Sequence, residues 1–172
     1  MNERILERDN LAEFGELCRK QGKRLIFTNG VFDLMHIGHV RCLWAARNMG
    51  DLLIVGVNSD SSTRKLKGNL RPLIPEQDRA EMLLSLRCVD YVTIFEEISA
   101  DETLMLLKPA LYVKGGDYTL SDQSESKPDA KPLMEEKTVK SYGGEVALIP
   151  YLKGYSTTSL IEKILTVFRL SN

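Results

Sequence analysis

His36 and His39 stand three residues apart, just after an apolar run has ended at Asn29-Gly30, in the stretch TNGVFDLMHIGH at 28–39. At the start of a helix this spacing turns both rings to one side, and Gly38 between them lets a ligand approach the backbone closely. A helix N-terminus already favours phosphate through its free N–H groups and its dipole. Two imidazole donors added there suit the α- and β-phosphates of a nucleotide. The same histidines could instead cap or pack locally. Asp33, His36, His39 and Cys42 also fall at three-residue steps, as metal ligands can. On a regular helix such residues drift around the axis, and catalytic zinc sites usually draw a ligand from elsewhere, so no metal site is expected.

The elements that must position these residues alternate. Asn10 followed by Glu13 has the form of a capping box, and Leu11, Phe14, Leu17 and Cys18 recur at helical spacing until Gly22. Leu25 to Thr28 is a compact apolar strand, and Val40, Leu43, Trp44 and Arg47 place a helix over about 38–48. Leu52 to Val57 is a strand of the kind buried on both faces of a parallel sheet. Pro75 opens a helix expected to turn Met82, Leu83 and Leu86 inward. Strands over 91–95 and 111–114 flank a helix over 101–107 stopped by Pro109. The polar stretch 119–131, with Pro128, predicts a mobile surface loop. A helix near 132–142, a strand over 145–149 and a helix over about 157–170 complete the pattern. Five strands alternating with helices predict an α/β fold, a Rossmann-like doubly wound parallel sheet in the order 3-2-1-4-5. Ligands of such sheets sit at the switch point, here between strands one and four. The ends Thr28-Asn29-Gly30 and Lys114-Gly115-Gly116-Asp117 should therefore share a crevice.

Composition narrows the class. A chain of 172 residues, 43% hydrophobic and 27% charged, reads as one soluble globular domain over 1–172. Twenty-three basic against 24 acidic residues leave no sequence-wide field for nucleic acid or an anionic membrane. Cys18, Cys42 and Cys88, odd in number and far apart, suit a reduced, cytoplasmic setting better than a disulfide framework. No apolar run is long enough for a signal peptide or a membrane span.

Gly30-Val31-Phe32-Asp33 followed by His36-Ile37-Gly38-His39 resembles the signature of the cytidylyltransferase-like nucleotidyltransferases. With it come Asn58-Ser59-Asp60, Lys67-Gly68, Arg71-Pro72, Arg79, Val113 to Tyr118 (VKGGDY), and Gly154-Tyr155-Ser156-Thr157-Thr158 opening the last helix. The resemblance covers about 23–166. Within the superfamily these motifs are most similar to the heptose 1-phosphate adenylyltransferase domain of ADP-heptose synthesis, which in many bacteria is fused behind a sugar kinase. With no kinase in this chain, a stand-alone transferase is expected. The glycerol-3-phosphate cytidylyltransferase branch typically has R-T-E-G-I-S-T before its last helix, whereas Tyr151, Leu152 and Lys153 precede Gly154 here.

The resemblance implies ATP and a sugar 1-phosphate giving an ADP-sugar and pyrophosphate for lipopolysaccharide inner-core precursors, with Mg²⁺ carried by the triphosphate and a homodimer as the assembly. The attacking phosphate oxygen is already anionic, so positioning and charge stabilisation suffice. His36 and His39 are then donors to phosphate oxygens as charge builds. Lys67, or Lys65, on the loop after strand two, would reach the α- or β-phosphate, or would stay solvated. Arg79 would offer phosphate a bidentate guanidinium, or would form a surface ion pair. Thr28, Asn29, Gly30 and Phe32 would cradle the nucleotide, Phe32 otherwise packing in the core. Ser156, Thr157 and Thr158, after Gly154 and Tyr155, would bind phosphate or simply cap the helix. Asp33, Arg71, Lys114, Gly115, Gly116 and Asp117 are expected on the sugar-phosphate side, where Tyr118 stacks or packs. The rivals are transfer from CTP to glycerol 3-phosphate or another alcohol phosphate, adenylyl transfer to FMN, and a regulatory module that binds nucleotide without turnover. No G-x-G-x-x-G follows the first strand, which leaves a dinucleotide oxidoreductase little support.

Overall fold

β1 (Leu25–Gly30) is the middle of the sheet because it is apolar on both faces: Leu25 and Phe27 point into one layer and Ile26 into the other, all buried. It pairs in parallel with β2 (Leu52–Asn58), from Leu25 opposite Leu52 to Gly30 opposite Val57, and with β4 (Leu111–Gly115). β3 (Tyr91–Phe95) adds beyond β2, and a fifth long strand, here β7 (Glu145–Ile149), beyond β4. The order β3-β2-β1-β4-β7 is the expected 3-2-1-4-5 order. This computed structural model describes residues 3–116, 118–121, 131–150, 152 and 154–169. Asp117, Pro128 with most of the polar loop, Tyr151 and Lys153 lie outside the described residues.

α2 (Ile37–Arg47) and α4 (Glu76–Leu84) cover one face, where Leu43, Ala46, Ala80 and Leu83 meet Ile26, Val55 and Val113. α1 (Leu11–Lys20), α5 (Asp101–Leu107) and α6 (Glu136–Ser141) cover the other, where Leu11, Leu104, Leu107 and Val139 meet Phe27, Ile54 and Tyr112. Each fully buried Leu, Ile, Val or Phe among them contributes about 1.5–3 kcal/mol. α7 (Thr157–Arg169) closes the described chain. Among the described residues, no helix is long and apolar enough to cross a membrane.

Four local expectations are corrected. Asn10 forms no side-chain cap, because a 3-10 turn at Arg8–Asn10 runs into α1 and leaves Asn10 itself in helical conformation. Met82 is exposed; the inward stripe of α4 is Arg79, Ala80, Leu83 and Leu84. A further helix, α3 (Asp60–Lys67), replaces the expected loop after strand two. Its polar sequence hides it, yet the Ser59 hydroxyl caps the Ser62 N–H at 3.1 Å, and Ser62 and Thr63 are buried. Finally, Pro132 is not helical: β5 (Tyr118–Thr119) and β6 (Lys131–Pro132) pair as a separate two-stranded sheet at the base of the polar loop, and α6 starts only at Glu136.

Candidate active site

Past the C-terminal ends of β1 and β4 lies a crevice of about 490 Å³, within the usual range for small-ligand sites. Thr28, Asn29, Gly30, Phe32 and Asp33 line it from β1 and the turn after it, and His36, Gly38 and His39 from the start of α2. The two histidines do cap locally, and the cap arms them. The Gly38 N–H donates to His36 Nδ1 at 3.1 Å, and the His36 N–H donates to His39 Nδ1 at 3.4 Å. Each Nδ1 is an acceptor, so each ring carries its proton on Nε2. The rings stack at 3.9 Å between centroids. Burial lowers the His36 pKa; burial, then the neighbouring His36, brings His39 down to about 4. Both are thus neutral Nε2–H donors near pH 7. Gly38 is required for this geometry, since a Cβ there would stand 2.9 Å from His36 Cε1 and Nδ1.

Phe32 is held at φ 52°, a conformation that costs a bulky side chain about 1–3 kcal/mol, and its ring packs edge-on against His39 at 5.5 Å. Asp33 is buried and acts as a staple. Its carboxylate accepts from Arg71 Nε (2.5 Å) and from the Leu73 and Ile74 N–H groups (2.8 and 2.9 Å), fastening the segment 71–74 to the turn after β1. Arg71 lines the crevice from that segment.

Arg79 is 0% exposed and does not reach the crevice. Its guanidinium lies beneath the crest, donating to Ile74 O (2.9 Å), Val31 O (2.5 Å), Asn58 O (2.8 Å) and Asp60 Oδ1 (2.7 Å). The expected phosphate ligand is instead a tie between the turn after β1, the end of β2 and the start of α3. Lys67 lines the crevice from the last turn of α3, whereas Lys65 does not.

On the opposite flank, Lys114, Gly115, Gly116 and Tyr118 line the crevice. Lys114 Nζ donates to Asn29 Oδ1 (2.8 Å) and to Tyr112 Oη (3.1 Å), and the Tyr112 hydroxyl donates to the same Asn29 oxygen (2.6 Å). With Oδ1 so occupied, the Asn29 amide is fixed with its NH₂ free to donate. Burial lowers the Lys114 pKa, and Glu135 pulls it back up. Glu135, 3.8 Å from Lys114, lines the crevice and was missed in the sequence, where nothing distinguishes it from neighbouring acidic residues.

Ser156, Thr157 and Thr158 line the crevice at the N-terminus of α7. Ser156 caps that helix, its hydroxyl accepting from the Ser159 N–H at 3.0 Å while Ser159 Oγ accepts from the Ser156 N–H at 3.1 Å. Gly154 (φ 86°) and Tyr155 lie outside the crevice and make the turn that leads into it. Two helix N-termini therefore converge on one space, an arrangement that attracts anions. The carboxylates offer Mg²⁺ no preformed cage, because Asp33 is occupied by its three donors and Glu135 faces Lys114; among the described residues no three His, Cys, Asp or Glu side chains converge as ligands. Any Mg²⁺ must ride on ligand phosphates and water.

A doubly wound sheet whose switch-point crevice receives two helix N-termini defines an α/β protein built to hold an anionic ligand such as a nucleotide phosphate. The chain belongs to the cytidylyltransferase-like family, whose model matches residues 27–163. Its relatives include the bifunctional protein HldE of Pelobacter propionicus, 49% identical over 162 residues, and that of Geobacter sulfurreducens, 48% identical over 160. These matches cover 94% and 93% of this chain but 31% of each relative, so the chain spans about a third of the proteins it resembles. Among solved structures, the lipopolysaccharide core biosynthesis protein of Thermoplasma volcanium is similar at 25% identity and a TM-score of 0.59, over 78% of this chain and all of that one. A pantoate-beta-alanine ligase from Francisella tularensis, 13% identical with a TM-score of 0.52 over 96% of this chain and 79% of that one, shares the fold.

Proposed function

We propose that this chain transfers the adenylyl group of ATP to a heptose 1-phosphate, releasing pyrophosphate and forming ADP-heptose for the lipopolysaccharide inner core. The observation that carries the reading is the reciprocal cap of His36 and His39, which aims two Nε2–H donors from one helix N-terminus into a crevice that a second helix N-terminus also enters. The acceptor is supported by the VKGGDY strand end, by the HldE relatives, which match over a length suited to one transferase domain, and by the lipopolysaccharide-core neighbour.

In this mechanism a phosphate oxygen of the sugar attacks Pα, the new O–Pα bond forms opposite the leaving oxygen, and the Pα–O–Pβ bond breaks. The nucleophile is already deprotonated, so no side chain acts as a base. His36 and His39 donate to oxygens whose charge grows in the transition state, a contribution worth about 3–4 kcal/mol per donor in comparable oxyanion sites. Being neutral, they add directed N–H dipoles without a competing proton transfer. Lys67, from the β2 side, supplies a cation to the triphosphate, and the α7 N-terminus with Ser156, Thr157 and Thr158 supplies hydroxyl and backbone donors. Asn29 and Lys114 face the acceptor. Mg²⁺ would neutralise the triphosphate, held by phosphate oxygens and water. The homodimer implied by the family resemblance belongs to the same proposal, and sedimentation velocity tests it. Incubation of ATP with heptose 1-phosphate, followed by chromatography and mass spectrometry, tests the reaction: ADP-heptose is the expected product, and unchanged substrates would overturn the proposal.

A further inference from the structure

Glu135 differs from the crevice's other carboxylate. Asp33 has its oxygens filled by Arg71, Leu73 and Ile74, whereas the side chain of Glu135, 10% exposed, has among the described residues only a share of the Tyr112 hydroxyl as a donor. It stands at the N-cap position of α6 and makes no side-chain cap. Its nearest cation, Lys114 Nζ, stops at 3.8 Å and is already engaged by Asn29 Oδ1 and Tyr112 Oη. The Tyr112 hydroxyl hydrogen-bonds to Glu135 and also lies 2.6 Å from Asn29 Oδ1, so its single hydrogen is shared between the two acceptors. An ionised carboxylate accepts at about four sites, so Glu135 keeps acceptor capacity for a group that enters the crevice it lines. A ligand hydroxyl answers this geometry, since it both donates and accepts. With about 2.8 Å to each partner, its oxygen closes a triangle on the 3.8 Å gap. The pair is also neutral in sum, unlike the two helix ends and Lys67, so this flank suits a polyol better than a phosphate.

We propose that Glu135 and Lys114 form the acceptor-specificity site, in which a sugar hydroxyl donates to Glu135 and accepts from Lys114. The site selects sugar phosphates over acceptors that lack a hydroxyl at that position. It rests on the sugar 1-phosphate reading above and adds the residue that recognises the sugar.

The test is steady-state kinetics of wild type, E135A and E135Q with ATP, heptose 1-phosphate and a panel of monodeoxy sugar 1-phosphates. Loss of a charged hydrogen bond should lower kcat/KM for heptose 1-phosphate about 10- to 100-fold in E135A, with KM for ATP unchanged within about twofold. E135Q keeps the volume and one acceptor oxygen, so a loss of about fivefold or more is expected there, and it serves should E135A fail to fold. One deoxy analogue should be a poor wild-type substrate that E135A makes no worse than about threefold, because its contact is already missing. The proposal is overturned if both variants match wild type on heptose 1-phosphate, if KM for ATP moves instead, or if E135A costs every analogue as much as the parent. Wild-type turnover with any of these results leaves the transferase reading standing. Wild-type silence with every sugar 1-phosphate would overturn that reading and this proposal with it.

Discussion

Replacing Arg79 with methionine removes a fully buried guanidinium while keeping most of its volume, and the cost can be worked out from its partners. Four hydrogen bonds go: three to the carbonyls of Ile74, Val31 and Asn58, and one to Asp60, whose side chain is 29% exposed. Breaking one side of a buried ion pair costs about 3–5 kcal/mol, and the orphaned carbonyls keep Arg79→Met within that range rather than below it. For a chain of this length each kcal/mol lowers the melting temperature by about 2–4 °C, so a fall of roughly 6–20 °C is expected. Arg79→Lys, with no planar fork, should fall between the two. The assay is far-UV circular dichroism on heating, paired with kcat/KM measured well below both melts. Activity should drop with stability, because the same guanidinium holds the turn before His36 and the start of the helix carrying Lys67. A melting temperature unchanged within about 2 °C, together with a loss of about 100-fold in kcat/KM, would refute the reasoning and make Arg79 a phosphate ligand.

His39 ties stability to pH. A pKa drawn down from 6.5 to about 4 makes the unfolded chain the stronger proton binder between those values, so stability should decline as pH falls through that window, by about 3 kcal/mol. Urea midpoints against pH should show a shallower decline in His39→Gln; equal slopes would contradict the buried neutral ring. Gly38→Ala pushes a Cβ against the His36 ring and should cost about 1 kcal/mol of stability and at least about tenfold in kcat, read by melting and steady-state rates, whereas wild-type behaviour would show the reciprocal cap to be dispensable. Lys67→Ala should lower kcat/KM for ATP by about 10- to 100-fold while Lys65→Ala stays within about twofold, and equal losses would contradict the placement of Lys67 alone on the crevice.

The sheet was legible because its strands carry short apolar runs, 25–27, 52–57 and 111–113, of the kind a sheet buried on both faces accommodates. The alternation gave the doubly wound class but not the strand order; the 3-2-1-4-5 order was one of those such sheets adopt, and with it comes the meeting of Asn29 and Lys114. The histidines were legible as a pair but not as a reciprocal cap, since which ring nitrogen faces the backbone depends on His36 being extended (φ −140°) before α2 begins. α3 was hidden because its support comes from a serine cap and buried hydroxyls rather than from apolar spacing. Arg79 was misread because an arginine four residues after Pro75 carries no sign of which way it points. Three carbonyls from three separate segments fill its donors, and no local pattern announces them. Glu135 was invisible for the same reason: its role depends on a lysine 21 residues away across the strand order.

The central claim is adenylyl transfer to a sugar 1-phosphate, and pyrophosphate release in the presence of Mg²⁺ tests it most directly. ATP or CTP is paired in turn with heptose 1-phosphate, glycerol 3-phosphate and FMN. Release confined to ATP with heptose 1-phosphate, and lost in His36→Ala and His39→Ala by about 100-fold or more, is the predicted result. Release with CTP and glycerol 3-phosphate instead, or ATP binding without release in any pairing, would contradict it.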